Sequence, residues 1–127
     1  MKRVLLAIGG VVQILVVALH VAMFFGLART TEIPEALKPT LYIFNATVLA
    51  AVLFLAYVSL FRRKELIETP MGHAVCWFAV LFYLQRGVTS AVVRGLQPTD
   101  FAMMLAIAAL YAVAAAPAGR QLARSAA

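Results

Sequence analysis

Carboxylates are scarce in this chain. Five Asp and Glu occur among 127 residues, and none falls clearly in the middle of an apolar run. That scarcity weighs against a proton antiporter driven by a buried carboxylate. A single cysteine, Cys76, excludes an internal disulfide and any CxxC metal site. HExxH, GxSxG and glycine-rich phosphate loops are also missing, and Gly9-Gly10 reads as a packing pair, so no familiar catalytic machinery is encoded. Charged residues make up 13% of the chain, well below the roughly one quarter of a soluble domain, which leaves little to solvate a water-facing surface.

What is abundant is hydrocarbon: 65% of residues are apolar and the mean hydropathy is +0.97. This composition defines a membrane protein, and the length allows one domain and no soluble catalytic domain beside it. The net charge of +6 raises the question of nucleic acid, but the eleven Lys and Arg sit at the ends of apolar runs instead of gathering on one polar face. Topology accounts for them, and nucleic-acid binding is not expected.

Met1-Lys2-Arg3 precedes an uncharged run from Val4 to Ala28, much longer than the roughly 7–15 residue core of a signal peptide. At about 1.5 Å per residue it crosses the roughly 30 Å hydrocarbon layer, so the first span is expected over about 4–28. A connection with Glu32, Pro34 and Glu35 leads to Pro39 as first helical residue and a second span over about 40–61. Arg62-Arg63-Lys64, Glu65 and Glu68 then form a loop, and Thr69-Pro70 reads as N-cap and first residue of a third span, about 70–94. Gly95, Gln97 and Pro98 turn the chain. Thr99 or Asp100 is expected to cap a fourth span, about 100–117, which Pro117 kinks or ends.

The result is an all-α, four-transmembrane-helix, up-down-up-down bundle embedded in lipid. Seven basic residues (Lys2, Arg3, Arg62, Arg63, Lys64, Arg120, Arg124) flank the spans on the side of the termini, and three (Arg29, Lys38, Arg94) lie on the other. The positive-inside bias therefore predicts a multi-pass protein of the plasma (inner) membrane with both termini cytoplasmic. Alanines at spacings of four in the last span (Ala102 and Ala106; Ala108, Ala112 and Ala116) allow close helix approach, within the bundle or in a homodimer.

Arg86 interrupts this pattern, because ending the third span at Gln85 would leave it too short to cross. Counted along their helices, His20 and Arg86 each lie roughly 12 Å below the outer end, and Asn45 roughly 8 Å below it. Tyr83, Arg86, Ser90 and Arg94 form one helical stripe, and Gln13 shares a face with His20. We therefore expect an outward-half pocket around His20, Asn45, Tyr83 and Arg86 for a small anionic or amphiphilic ligand, with Arg86 as countercharge. The plainer account has Arg86 snorkelling or neutralised by Glu32, Glu35 or Asp100, Asn45 bridging helices, and Asp100 capping one.

Two further readings compete. The chain is an accessory subunit whose Arg86 meets an acidic residue of another membrane protein, or a redox protein using haem or quinone. Against haem, His20 lies in the outer half and His73 at the inner end of its helix, so one porphyrin could not bridge them within a monomer; no cofactor is expected. His73-x-x-Cys76 is too small a set for a metal site. The topology is open to test: alkaline phosphatase, active only outside the cytoplasm, should be active when fused after Glu32 and inactive when fused after Lys64. The reverse pattern would invert the assignment.

Overall fold

The computed structural model describes residues 1–95 and 97–116, the side chain of Arg94 excepted. Pro117, Arg120 and Arg124 lie outside the described residues. Four long helices form: α1 (Lys2–Arg29), α2 (Lys38–Phe61), α4 (Pro70–Arg94) and α5 (Pro98–Ala115); each is long and apolar enough to cross a membrane. A single 3-10 turn, Glu35–Leu37, leads into α2, and a short α3 (Arg63–Glu68) joins α2 to α4. Among the described residues there is no strand.

The expected spans match these helices to within two residues at each described end, because hydrophobic length is a local property. The caps are less uniform. Thr69 does cap α4, its hydroxyl accepting from the Gly72 N–H at 2.9 Å, with Pro70 as first helical residue. The fourth helix instead starts at Pro98 after Gln97, and Thr99 and Asp100 lie in its first turn. Proline supplies the helical φ at a position where no N–H is needed, so the start moves to it. Similarly Lys38, not Pro39, opens α2.

The basic stretch expected to be loop is α3. It packs against α4 most extensively and also touches α1, α2 and α5, closing the end of the bundle that carries the N-terminus. Leu66 points into the core; Arg62 pairs with Glu65 at 2.7 Å, and Arg3 with Glu68 at 3.0 Å. The hydrogen bond and charge of Glu65 hold the Arg62 guanidinium above its ordinary pKa. These pairs are exposed and add about 1 kcal/mol at most each, so burial of Leu66 is the stronger fastening. Lys2 reaches the carbonyls of Ala114 and Ala116, placing a cation on the C-terminal end of α5.

Short connections make α1 and α2 one antiparallel hairpin, and α4 and α5 another. The hairpins meet mainly along α1 and α5, so the order around the bundle is α2, α1, α5, α4. Gly9 and Gly10 permit close packing on both sides of α1: a Cβ at Gly9 would come within 2.9 Å of Leu110 on α5, and one at Gly10 within 2.6 Å of Leu60 on α2. The buried core includes Leu6, Leu55, Cys76, Ala79, Tyr83 and Tyr111. Of the alanines, Ala108 is buried against other helices, whereas Ala102 and Ala106 face outward.

Gly72 provides a test of the α3–α4 corner. An added Cβ would lie 2.1 Å from the Glu65 carbonyl oxygen and 2.4 Å from Leu66 Cα, both backbone atoms that cannot swing aside. Gly72→Ala should destabilise the protein by roughly 1–3 kcal/mol, the usual cost of overpacking. Gly26→Ala, with nothing within 4 Å of the new methyl, should be neutral or stabilising by up to about 1 kcal/mol. Denaturant titration in detergent followed through Trp77 fluorescence measures both.

Candidate functional site

Helices in hydrocarbon bury their polar side chains and expose their apolar ones, because lipid offers no hydrogen bonds. Here Gln13, His20, Asn45 and Ser59 are buried, while Leu15, Phe25, Phe44, Leu81 and Val92 are exposed. Each buried polar group must therefore find a partner on another helix or on its own backbone.

The largest set of partners forms one chain through all four long helices. The Tyr83 hydroxyl on α4 donates to Gln13 Oε1 on α1. Gln13 Nε2 in turn donates to the Tyr111 hydroxyl on α5 at 3.4 Å, and the Tyr111 and Ser59 hydroxyls lie 2.7 Å apart. The Tyr111 hydroxyl thus links Gln13 to Ser59 on α2, and either hydroxyl of that pair can be the donor. Gln13 is the centre of this arrangement, since its amide alone has both a carbonyl and an N–H to offer in opposite directions.

A second polar contact lies within the first hairpin. Asn45 Nδ2 donates to the His20 backbone carbonyl at 2.9 Å, and His20 Nδ1 donates to the Val16 carbonyl at 2.8 Å, one turn back along α1. Asn45 Oδ1 is buried with no hydrogen-bond partner among the described residues.

Arg86 lies elsewhere. It is half-buried in a groove of about 480 Å³ between α2 and α4, lined on the α4 side by Phe82, Gln85, Arg86, Thr89, Ser90 and Val93. Phe44 and Val48 form the α2 side. The α4 wall thus carries four polar side chains in a lining that is mostly hydrocarbon, and the α2 wall is apolar. The ion pairs among the described residues are Arg3–Glu68, Lys38–Glu35 and Arg62–Glu65, and Arg86 takes part in none of them. Of the acids expected as its partners, Glu35 is held by Lys38, Glu32 follows α1 at the surface, and Asp100 lies in the first turn of α5.

The four residues expected around one pocket therefore occupy three places. His20 and Asn45 meet between α1 and α2, Tyr83 turns into the core toward Gln13, and Arg86 lines the groove. Depth along a helix sets the level of a side chain but not its direction. Tyr83 and Arg86, three residues apart, differ by about 60° around the α4 axis, enough to send one inward and the other to the α2 side. Ser90 remains with Arg86 in the groove, while the side chain of Arg94 lies outside the described residues.

Tyr111 and Ser59 were not anticipated. Tyr111 sits among alanines and Ser59 close to a helix end, positions that resemble interfacial residues. The available signal was Gln13: an amide in mid-span needs partners, and Tyr111 and Ser59 are hydroxyls that can reach it.

The second histidine, His73, donates from Nε2 to the Ile67 carbonyl at 2.8 Å, tying α4 to the end of α3. Among the described residues no three His, Cys, Asp or Glu side chains come together to hold a metal ion.

A four-helix bundle with apolar helices, a mainly apolar core holding a few hydrogen-bonded polar groups, and charges clustered at its ends is a small multi-pass integral membrane protein. The chain matches no known family, no curated protein and no solved structure with which it was compared.

Asn45 distinguishes a helix bridge from a strong fastening. It gains one interhelical hydrogen bond but leaves a buried acceptor unpaired, and such bonds in lipid average about 0.6 kcal/mol. The near-isosteric Asn45→Leu should therefore change unfolding free energy by less than about 1 kcal/mol in detergent titration.

Proposed function

We propose that this protein binds an anionic amphiphile in the groove between α2 and α4, with Arg86 as countercharge. The supporting observation is a half-buried arginine on the α4 wall of a groove whose opposite wall, Phe44 and Val48, is apolar. A molecule with one anionic group and a hydrocarbon tail satisfies both walls. Guanidinium offers a planar fork of donors to carboxylate or phosphate, and Gln85 and Thr89 beside it can supply further hydrogen bonds.

Depth strengthens this reading over simple snorkelling. Arg86 lies roughly 12 Å from the end of α4, so its side chain must bend far along the helix to reach the headgroups. Drawing an anion into the groove satisfies the same charge in place. With the protein in the plasma membrane and both termini cytoplasmic, the groove belongs to the outer leaflet. His20 and Asn45 do not line it; their role is to hold α1 to α2 and so fix the apolar wall.

Native mass spectrometry of the protein reconstituted with mixed phosphatidylcholine and phosphatidylglycerol tests the assignment. The protein should retain phosphatidylglycerol selectively, and Arg86→Gln should weaken that retention about tenfold or more, the loss of one charge-assisted contact of roughly 1.5–3 kcal/mol. Equal retention by folded Arg86→Gln would sink the idea. A stoichiometric protein partner, released by Arg86→Glu, would instead identify the groove as the docking seam of an accessory subunit.

A further inference from the structure

The three hydrogen bonds of the buried chain share a property that packing alone does not require. Each joins the α1–α2 hairpin to the α4–α5 hairpin: Gln13 to Tyr83, Gln13 to Tyr111, and Ser59 to Tyr111. The Asn45–His20 bond, by contrast, lies inside one hairpin. The seam between the two bodies is therefore fastened by hydroxyls and one amide toward the terminal end, and opens as the groove toward the other.

These groups also continue one another in depth. Measured along their helices from the end carrying the α1–α2 and α4–α5 connections, Ser90, Arg86 and Tyr83 lie at about 6, 12 and 17 Å. Beyond Tyr83 the polar groups continue by contact, through Gln13 and Tyr111 to Ser59, two residues from the terminal end of α2. Polar side chains thus run from the groove to the opposite end in one column, the first half open and the second half closed.

We infer that the protein moves the anionic headgroup of a lipid across the bilayer, the groove being the open half of the path and the Tyr83–Gln13–Tyr111–Ser59 chain its closed gate. This rests on the groove being a binding site. The headgroup steps from Ser90 and Arg86 of α4 to the hydroxyls of the gate while its tails stay in the lipid beside the α2–α4 opening, which lowers the cost of carrying its charge past hydrocarbon. Rocking one hairpin against the other separates the three bonds and leaves each hairpin intact. Interhelical hydrogen bonds in lipid are individually weak, and the freed hydroxyls can bond the passing headgroup, so a gate of this kind opens more readily than a packed apolar plug. Movement is downhill in either direction and needs no energy source.

The test uses the full chain in phosphatidylcholine vesicles carrying fluorescent NBD-phosphatidylglycerol, with dithionite quenching to report the inner-leaflet pool as it reaches the outside. Tyr111→Phe and Ser59→Ala each remove one hydroxyl from the same bond. The expected result is quenching of the inner pool by the parent protein, abolished by Arg86→Gln, and at least threefold faster in both hydroxyl variants with phosphatidylglycerol retention unchanged. Retention in the mass spectrometer also shows that those variants are folded. A parent protein that retains the lipid but leaves the inner pool protected overturns the inference and leaves the binding site standing. Transfer at the same rate in both hydroxyl variants overturns the gate. Retention indifferent to Arg86→Gln removes the binding site, and the path with it.

Discussion

A polar group inside hydrocarbon has to be satisfied by the protein itself, and the arrangement of this bundle follows from that constraint. Gln13 shows it most directly. Its amide sits at the centre of the membrane-spanning region, fully buried, and meets the demand by joining Tyr83 on one side to Tyr111 on the other. Ser59 extends the chain to the remaining long helix. Apolar packing alone would leave the helices free to rotate against one another, since lipid tails solvate Leu and Val as well as other helices do. The hydrogen bonds fix the rotations.

The same constraint explains why the bundle has two unlike halves. Toward the terminal end the seam between hairpins is closed by the hydrogen-bonded chain, by Lys2 on the carbonyls of α5, and by α3 lying across the helix ends. Toward the other end α2 presents Phe44 and Val48 across the groove to Gln85, Arg86, Thr89 and Ser90 of α4. The proposed anionic amphiphile is the occupant that would suit both surfaces.

How much of this was legible in the sequence differs from residue to residue. Arg86 was identifiable because a charge in an apolar run stands out without any structure. His20 and Asn45 are expected at similar levels from their residue counts, and their contact is a helix bridge through the His20 carbonyl, a backbone acceptor that leaves no trace in the sequence. Tyr83 was assigned to the stripe of Arg86, although the angle between them sends it to Gln13 instead. α3 was hidden because its six residues are mostly charged, and Leu66 and Ile67 carry too short an apolar signal to suggest a helix folded under the bundle.

By itself the sequence determined that this is an all-α membrane protein, how many helices cross, and within a residue or two where they begin and end, because hydrophobic length, proline and capping act over a single turn. It also determined the position of each polar group along its own helix, since rise per residue is fixed. Only the tertiary structure decided the directions: which neighbour each face meets, that Gln13 binds two tyrosines from one hairpin, and that Arg86 opens onto a groove. Those choices depend on how two hairpins rotate against each other, and that rotation is set by contacts between residues about a hundred positions apart, such as Gln13 and Tyr111.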